Sequence, residues 1–297
     1  MKIVQSYWSK PVMETGGRRG DDRQRGGWID IRFHYMSWAL SCLNFKKFYN
    51  EVELVTDSLG KEILINRIGL PYSHTMTVLD CYENEDPAVW AISKFHAYTL
   101  QKEPFIHADN DVFIWRTLTE LEHKPLVVQN FEVNVSFYKQ IWKEIVDQFS
   151  YIPLCMREDF IARPEIHSCN AGVFGGNDLV FIKEFATEAM AFLAKNKLAM
   201  KNMRMPGWTV LIYEQYLFSC LARAKQKQVT ALFSFTDNRN VEMADFSKVA
   251  RGKFYVHTIS NTKQNEMTCN SLSERLRLEH PEYYYRIEQL AKAHALE

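Results

Sequence analysis

Apolar and polar positions follow two rhythms in turn along the chain. Short β-type runs predict strands at residues 2–7, 51–56, 75–79, 125–129 and 254–257, and residues 104–106 open another. Residues 165–176 hold a β-type segment broken by glycines. Between these runs the spacing turns helical. Residues 28–49 place Ile31, Tyr35, Trp38, Cys42 and Phe45 near one face, and residues 88–100, 136–149, 179–195 and 213–225 read as further helices. Asp57, Ser58 and Gly60 mark a turn after the second strand, and the stretch METGGRRGDDRQRGG reads as a solvated loop. Residues 271–295 are helical, with an interruption at Pro281. Strands alternating with helices predict an α/β fold. Without a repeat or a long linker, residues 1–297 read as one domain, with 271–297 as a C-terminal helical appendage. That appendage is left to pack on the core or to meet a partner or a membrane surface.

Composition narrows the function classes. Hydrophobic residues make up 46% and charged residues 24%, as in an ordinary folded domain. Lys+Arg and Asp+Glu are each 36, so no excess of positive charge exists to displace counterions from a nucleic acid. No apolar run approaches the roughly 20 residues that span a bilayer. The N-terminus, MKIVQSYWSKP, has too short an apolar stretch for a signal peptide and reads as a first strand. Cys42, Cys81, Cys155, Cys169, Cys220 and Cys269 form no C-x-x-C or zinc-ligand spacing, which fits buried thiols in a reducing cytoplasm.

The segment FIHADNDVFIW carries the strongest chemical signal. Asp109 and Asp111 stand two apart where a strand ends, and two carboxylates so placed repel unless a positive charge lies between them. A divalent cation such as Mg²⁺ or Mn²⁺, which prefers oxygen ligands, does this well. A tight turn would also use Asp and Asn, but the flanks FIH and VFIW are apolar and bury the turn where open α/β sheets bind ligands.

With the preceding helix the segment reads VWAISKFHAYTLQKEPFIHADNDVF, a lysine-bearing helix, then a strand, then the acids. This resembles the GT-A glycosyltransferases, in particular the glycogenin-like retaining family that includes the lipopolysaccharide galactosyltransferases, and its mannosyltransferase-like relatives. His107-Ala108-Asp109 stands in for that family's D-A-D motif in one register, and Asp109-Asn110-Asp111 matches a D-T-D-V form in the other. HSCNAGVFGGND is similar to the N-x-G segment that lines the sugar pocket. YEQYLFSCLA is similar in part to a D-Q-x-x-L-N helix start, with Glu214, Phe218 and Ser219 as departures. FYVHTISNTK is similar to the late H-x-x-x-x-x-K motif, with Ser260 where glycine is usual.

The resemblance implies a mixed central sheet flanked by helices and a divalent Mn or Mg ion as cofactor. It implies a sugar moved, with retention, from a nucleotide-sugar donor to a hydroxyl acceptor such as a glycan. Asp109, Asp111 and His257 would be the metal ligands, with His107 as the rival to Asp111. Glu214 and Gln215 would stand by the reacting carbon. Lys94, Asn170, Ala171, Gly172 and Lys263 would bind the donor, and Tyr7 and Asp57, ending the first two strands, would hold base and ribose. Taken alone, Tyr7 reads as a core aromatic, Asp57 as a turn residue, Lys94 as a solvated helix residue and His257 as a satisfied core histidine. The basic loop at 18–25 would close over the diphosphate. Two rival functions stand beside this one. A non-catalytic nucleotide-sugar or glycan-binding protein would keep the fold without turnover. A sugar nucleotidyltransferase would carry its Gly-rich loop directly after the first strand, whereas GGRRGDDRQRGG lies beyond SYWSKPVMET.

Overall fold

The computed structural model describes residues 1–14, 24–133, 135–163 and 165–296. Among the described residues, nine strands run in chain order: β1 (Lys2–Tyr7), β2 (Val52–Thr56), β3 (His74–Thr77), β4 (Phe105–Ala108), β5 (Val112–Ile114), β6 (Leu126–Val133), β7 (His167–Gly176), β8 (Val229–Phe233) and β9 (Tyr255–His257). Seven form one sheet in the order β3-β2-β1-β4-β7-β6-β8, while β5 and β9 pair separately. β1 is parallel to β2 and β4, β2 to β3, and β6 to β8, whereas β7 is antiparallel to both its neighbours. The fold is therefore α/β with a mixed sheet, the class that the alternating pattern predicts.

The two sheet faces are covered by different helices. Val4 and Val55 pack with the helices Ile92–Leu100, Leu179–Lys195 and Leu217–Ala224. Tyr7 and Leu54 face the long helix Ile31–Phe48. Alternate residues of a strand point to opposite faces, which is why β2 is buried throughout. The long helix begins three residues later than its period suggests, because Asp30 caps it by accepting from the Arg32 N–H. Its outer side is covered by the helices Glu266–Glu279 and Pro281–Lys292, which bury Cys269, Leu272, Leu276 and Ile287. The C-terminal stretch thus joins the core on this face. Among the described residues, no helix is long and apolar enough to cross a membrane.

Three differences from the sequence pattern matter for the site. The glycines near residue 175 do not break β7, which runs unbroken from His167 to Gly176. β5 and β9, three residues each, form a second small sheet in the register Val112↔His257. The expected helix at 213–225 opens as a wide π-helical turn, Leu211–Tyr216, before it tightens at Leu217. Of the basic loop at 18–25, residues 18–23 lie outside the described residues.

Candidate metal and nucleotide site

The order β3-β2-β1-β4 makes the space between β1 and β4 a switch point, where chain connections lead away to opposite sides. Open α/β sheets form a crevice at such a point, beyond the carboxyl ends of the strands. Asp109, Asn110 and Asp111 lie there, directly after β4. The Asp109 N–H donates to the Gly172 carbonyl at 2.9 Å, which fixes the turn against β7. β9 then docks on β5, and the Thr258 N–H donates to the Asp111 carbonyl at 3.0 Å. This ladder brings His257 to the acids from a distant part of the chain.

The resulting cluster is compact. One ligand atom each from Asp109, Asp111 and His257 lies within 4.8 Å of the others. His257 Nε2 is 3.3 Å from Asp111 Oδ1, and Lys263 Nζ is 2.7 Å from Asp111 Oδ2. On the other side Lys94 Nζ bridges Asp109 Oδ1 and Glu214 Oε1, each at 2.8 Å. Burial by itself would raise the Asp111 carboxyl, but Lys263 and His257 outweigh it and hold the group well below the usual carboxylate range. Burial would lower the Lys94 ammonium, but Asp109 and Glu214 push it above its ordinary value.

The imidazole is oriented for ligation. Gln129 Oε1 accepts from the Tyr255 hydroxyl at 2.7 Å and faces His257 Nδ1 at 2.6 Å. A carbonyl oxygen only accepts, so Nδ1 carries a hydrogen, and Nε2 is the ring nitrogen turned toward Asp111. Two carboxylates and one imidazole nitrogen, with the second ring nitrogen held by a buried amide, could hold a divalent metal ion. Gly172 makes room for this ring. A Cβ there would lie 2.4 Å from His257 Cε1 and 2.6 Å from Gln129 Oε1.

His107 Nδ1 comes within 3.8 Å of Asp109 Oδ1, but the ring is anchored mainly on other partners. It is fully buried, its Nε2 is 3.0 Å from Ser6 Oγ, and its ring packs edge-on against Tyr98. It does not join the ligand group among the described residues. Burial, then Lys94, holds His107 well below the ordinary histidine value.

A cleft of about 430 Å³ opens over the cluster. Lys94, Asp109, Asn170, Gly172, Glu214 and Gln215 line it. Asp111, His257 and Lys263 line it as well. Ala171 is buried in the hydrophobic core and is not among the lining residues. Tyr7 and Asp57 also lie outside it. The Tyr7 ring packs on Trp38 with its hydroxyl 3.2 Å from that of Tyr35. Asp57 accepts from the N–H and hydroxyl of Ser9 and from the Gly60 N–H. At the rim, Gln264 Nε2 donates to the Gly27 carbonyl at 2.5 Å, so the turn Gln24–Gly27 leans on the Lys263 segment. Gly26 has φ +64°, and a Cβ there would lie 2.1 Å from His34 Nδ1.

Glu132 and Tyr138 carry no motif, and the structure adds them to the cleft. The Tyr138 oxygen is 2.7 Å from Glu132 Oε2 and 2.5 Å from Gln215 Oε1, while Asn170 Nδ2 donates to Glu132 Oε1 at 3.3 Å. One hydroxyl hydrogen cannot serve two acceptors. The missing proton comes from the acid form of Glu132 or from a turned Gln215 amide. Burial raises the Glu132 carboxyl and so favours the acid form.

These buried groups set a pH dependence of folding. Burial lowers His34 to about 3 and His107 well below its ordinary value, so the unfolded chain binds more protons below the ordinary histidine pKa. Each should therefore cost about 1.4 kcal/mol per pH unit as pH falls from about 6.5. Glu132, whose pKa is raised, acts in the opposite sense near the acid end of that window. The expected result is a urea midpoint that falls steadily from pH 7 to pH 5, and a flat or rising midpoint would contradict two neutral buried imidazoles.

A family model described as a family of unknown function (DUF6734) matches residues 1–290. No curated protein matches the chain. Among solved structures, the glycosyltransferase GlyE of Streptococcus pneumoniae TIGR4 is similar at 10% identity and a TM-score of 0.44. The match covers 99% of this chain and 64% of that one, so this chain spans less than two thirds of its length. The galactosyltransferase LgtC, in complex with donor and acceptor sugar analogs, is similar at 10% identity and a TM-score of 0.35, over 72% of this chain and 70% of that one. Mouse xyloside xylosyltransferase 1 in its apo form is similar at 9% identity and a TM-score of 0.36, over 77% of this chain and 84% of that one.

Proposed function

We propose that this chain, which belongs over residues 1–290 to a family of unknown function (DUF6734), is a GT-A type glycosyltransferase. It moves a hexosyl group from a nucleoside-diphosphate sugar to a hydroxyl acceptor on a glycan, with retention. The observation that carries this reading is the convergence of Asp109, Asp111 and His257 on one point, flanked by Lys94 and Lys263. Burying such charges is costly, which supports a ligand role for the triad and the two lysines beyond their mutual pairing.

Asp109, Asp111 and His257 would hold the Mn²⁺ or Mg²⁺, which when bound supplies Lewis-acid neutralisation of the diphosphate. The chain's own groups do the rest. Lys263 can turn from Asp111 to a phosphate oxygen and make a charge-assisted hydrogen bond. Asn170 and Gly172 border the donor sugar, and Glu214 and Gln215 face its reacting carbon. The acceptor oxygen bonds that carbon on the face from which the diphosphate leaves. The bond to the diphosphate breaks with its electron pair on phosphate, and the hydroxyl proton follows to a phosphate oxygen.

Thermal melting with nucleoside diphosphates and nucleotide sugars, in Mn²⁺ and in EDTA, tests the reading. A ligand at 100 times its Kd should stabilise by about 2.7 kcal/mol. Stabilisation in Mn²⁺ alone, with slow release of free nucleotide from the donor, is the expected result. Binding without release would favour a non-catalytic binding protein, and equal binding in EDTA would remove the metal.

A further inference from the structure

The cleft lining holds two sets of residues of unlike chemistry. One is the charged cluster. The other is an apolar wall made by Val135, Phe137, Met205, Trp208 and Leu211. Phe137 is 40% exposed and meets Trp208 edge to face, with ring centroids 5.0 Å apart at 76°. Aromatic rings facing solvent at a cleft are more informative than scattered surface leucines, because they leave apolar area wet beside a polar site. The lining also holds Glu132, Tyr138, Asn170 and Gln215, a carboxyl group, a phenol and two amides in one connected set.

The phosphates of a nucleoside diphosphate are matched at the charged cluster, and its base can stack on an aromatic ring, so the nucleoside diphosphate arm of the test below separates base from sugar. A pyranose ring also fits. Its rim of hydroxyls needs carboxylate and amide partners, while its C–H face packs on an aromatic ring. We infer that the Phe137–Trp208 wall and the Glu132–Gln215 floor form an acceptor subsite that takes one sugar ring, C–H face to Trp208 and hydroxyls to Glu132. This rests on the glycosyltransferase reading, and it assigns one ring of that glycan acceptor to this wall.

The test uses methyl glycosides of glucose, galactose and mannose, in both anomers, with the full chain. Saturation-transfer NMR without donor should show the ring C–H protons of at least one glycoside in contact with the protein. Phe137→Ala and Trp208→Ala should weaken that glycoside by roughly tenfold or more, and Trp208→Phe should restore most of it. Glu132→Gln should weaken it without changing nucleoside diphosphate affinity in Mn²⁺. Phe137 is partly exposed, so its variant should melt with the parent and remain informative if Trp208→Ala does not fold. The inference is overturned if no methyl glycoside binds, if the aromatic variants bind it unchanged, or if they lose nucleoside diphosphate as much as glycoside. A chain that binds glycosides at this wall but no metal-dependent nucleotide would keep the subsite and end the transferase reading.

Discussion

An Asp109→Ala variant is expected to bind a nucleoside diphosphate no better in Mn²⁺ than in EDTA. Of the two acids it is the cleaner probe. Its side chain is 20% exposed toward the cleft, and removing it leaves Lys94 still paired with Glu214 at 2.8 Å. Asp111 is different, since it is buried and its loss would strand both Lys263 and His257. The Asp109 variant should therefore melt near the parent while losing roughly 100-fold or more in metal-dependent affinity, beyond what outer-shell partners of a metal typically contribute. Calorimetry of nucleoside diphosphate in both buffers reads the effect. His107→Ala should keep the metal dependence, because its ring lies in the sheet against Ser6 and Tyr98. Loss of metal dependence in His107→Ala but not in Asp109→Ala would place the ligands in the other register.

Some of this site was legible in the chain and some was not, for physical reasons. Asp109 and Asp111 stand out because acids are rare between apolar runs such as FIH and VFIW. The α/β class follows from the alternation of β-type and helical runs, which are long enough to show a period. β5 and β9 have three residues each, too few for any period, so the pairing that delivers His257 could be reached only through a motif resemblance. The Lys94–Glu214 pair spans 120 positions, and only the packing of one helix against the π-helical turn makes them neighbours. Tyr7 and Asp57 sit at strand ends, as a nucleotide contact would. One step of register decides which face a strand-end side chain takes, and Tyr7 takes the face under the long helix. Gln129, Glu132 and Tyr138 gave no signal, because a polar residue at the end of a strand or on a helix is ordinary until a cleft forms around it.

Replacing Lys94 by methionine should produce the largest loss of stability. The ammonium is buried, touches Asp109 and Glu214 at 2.8 Å each, and lies 5.3 Å from the centre of the Trp90 ring. Methionine fills similar volume but leaves two carboxylates on one wall with no cation between them. Removing one partner of a buried ionic group costs roughly 3–5 kcal/mol, because the remaining charge stays desolvated. For a chain of this size that corresponds to a fall in Tm of roughly 5–8 °C. The cost comes from stranded charge, so a second substitution should relieve it. Adding Glu214→Gln to Lys94→Met should recover much of the loss, although Glu214→Gln alone should destabilise by leaving Lys94 with Asp109 only. The sign with pH follows as well. Without Lys94 the Glu214 carboxyl is expected to hold its proton more tightly when folded than when unfolded. Lys94→Met should then gain stability, relative to the parent, as pH falls through the carboxylate range. A Lys94→Met protein that melts within about 2 °C of the parent at pH 7 would show that this triad is already relaxed by water from the cleft, and that Lys94 serves the ligand rather than the fold.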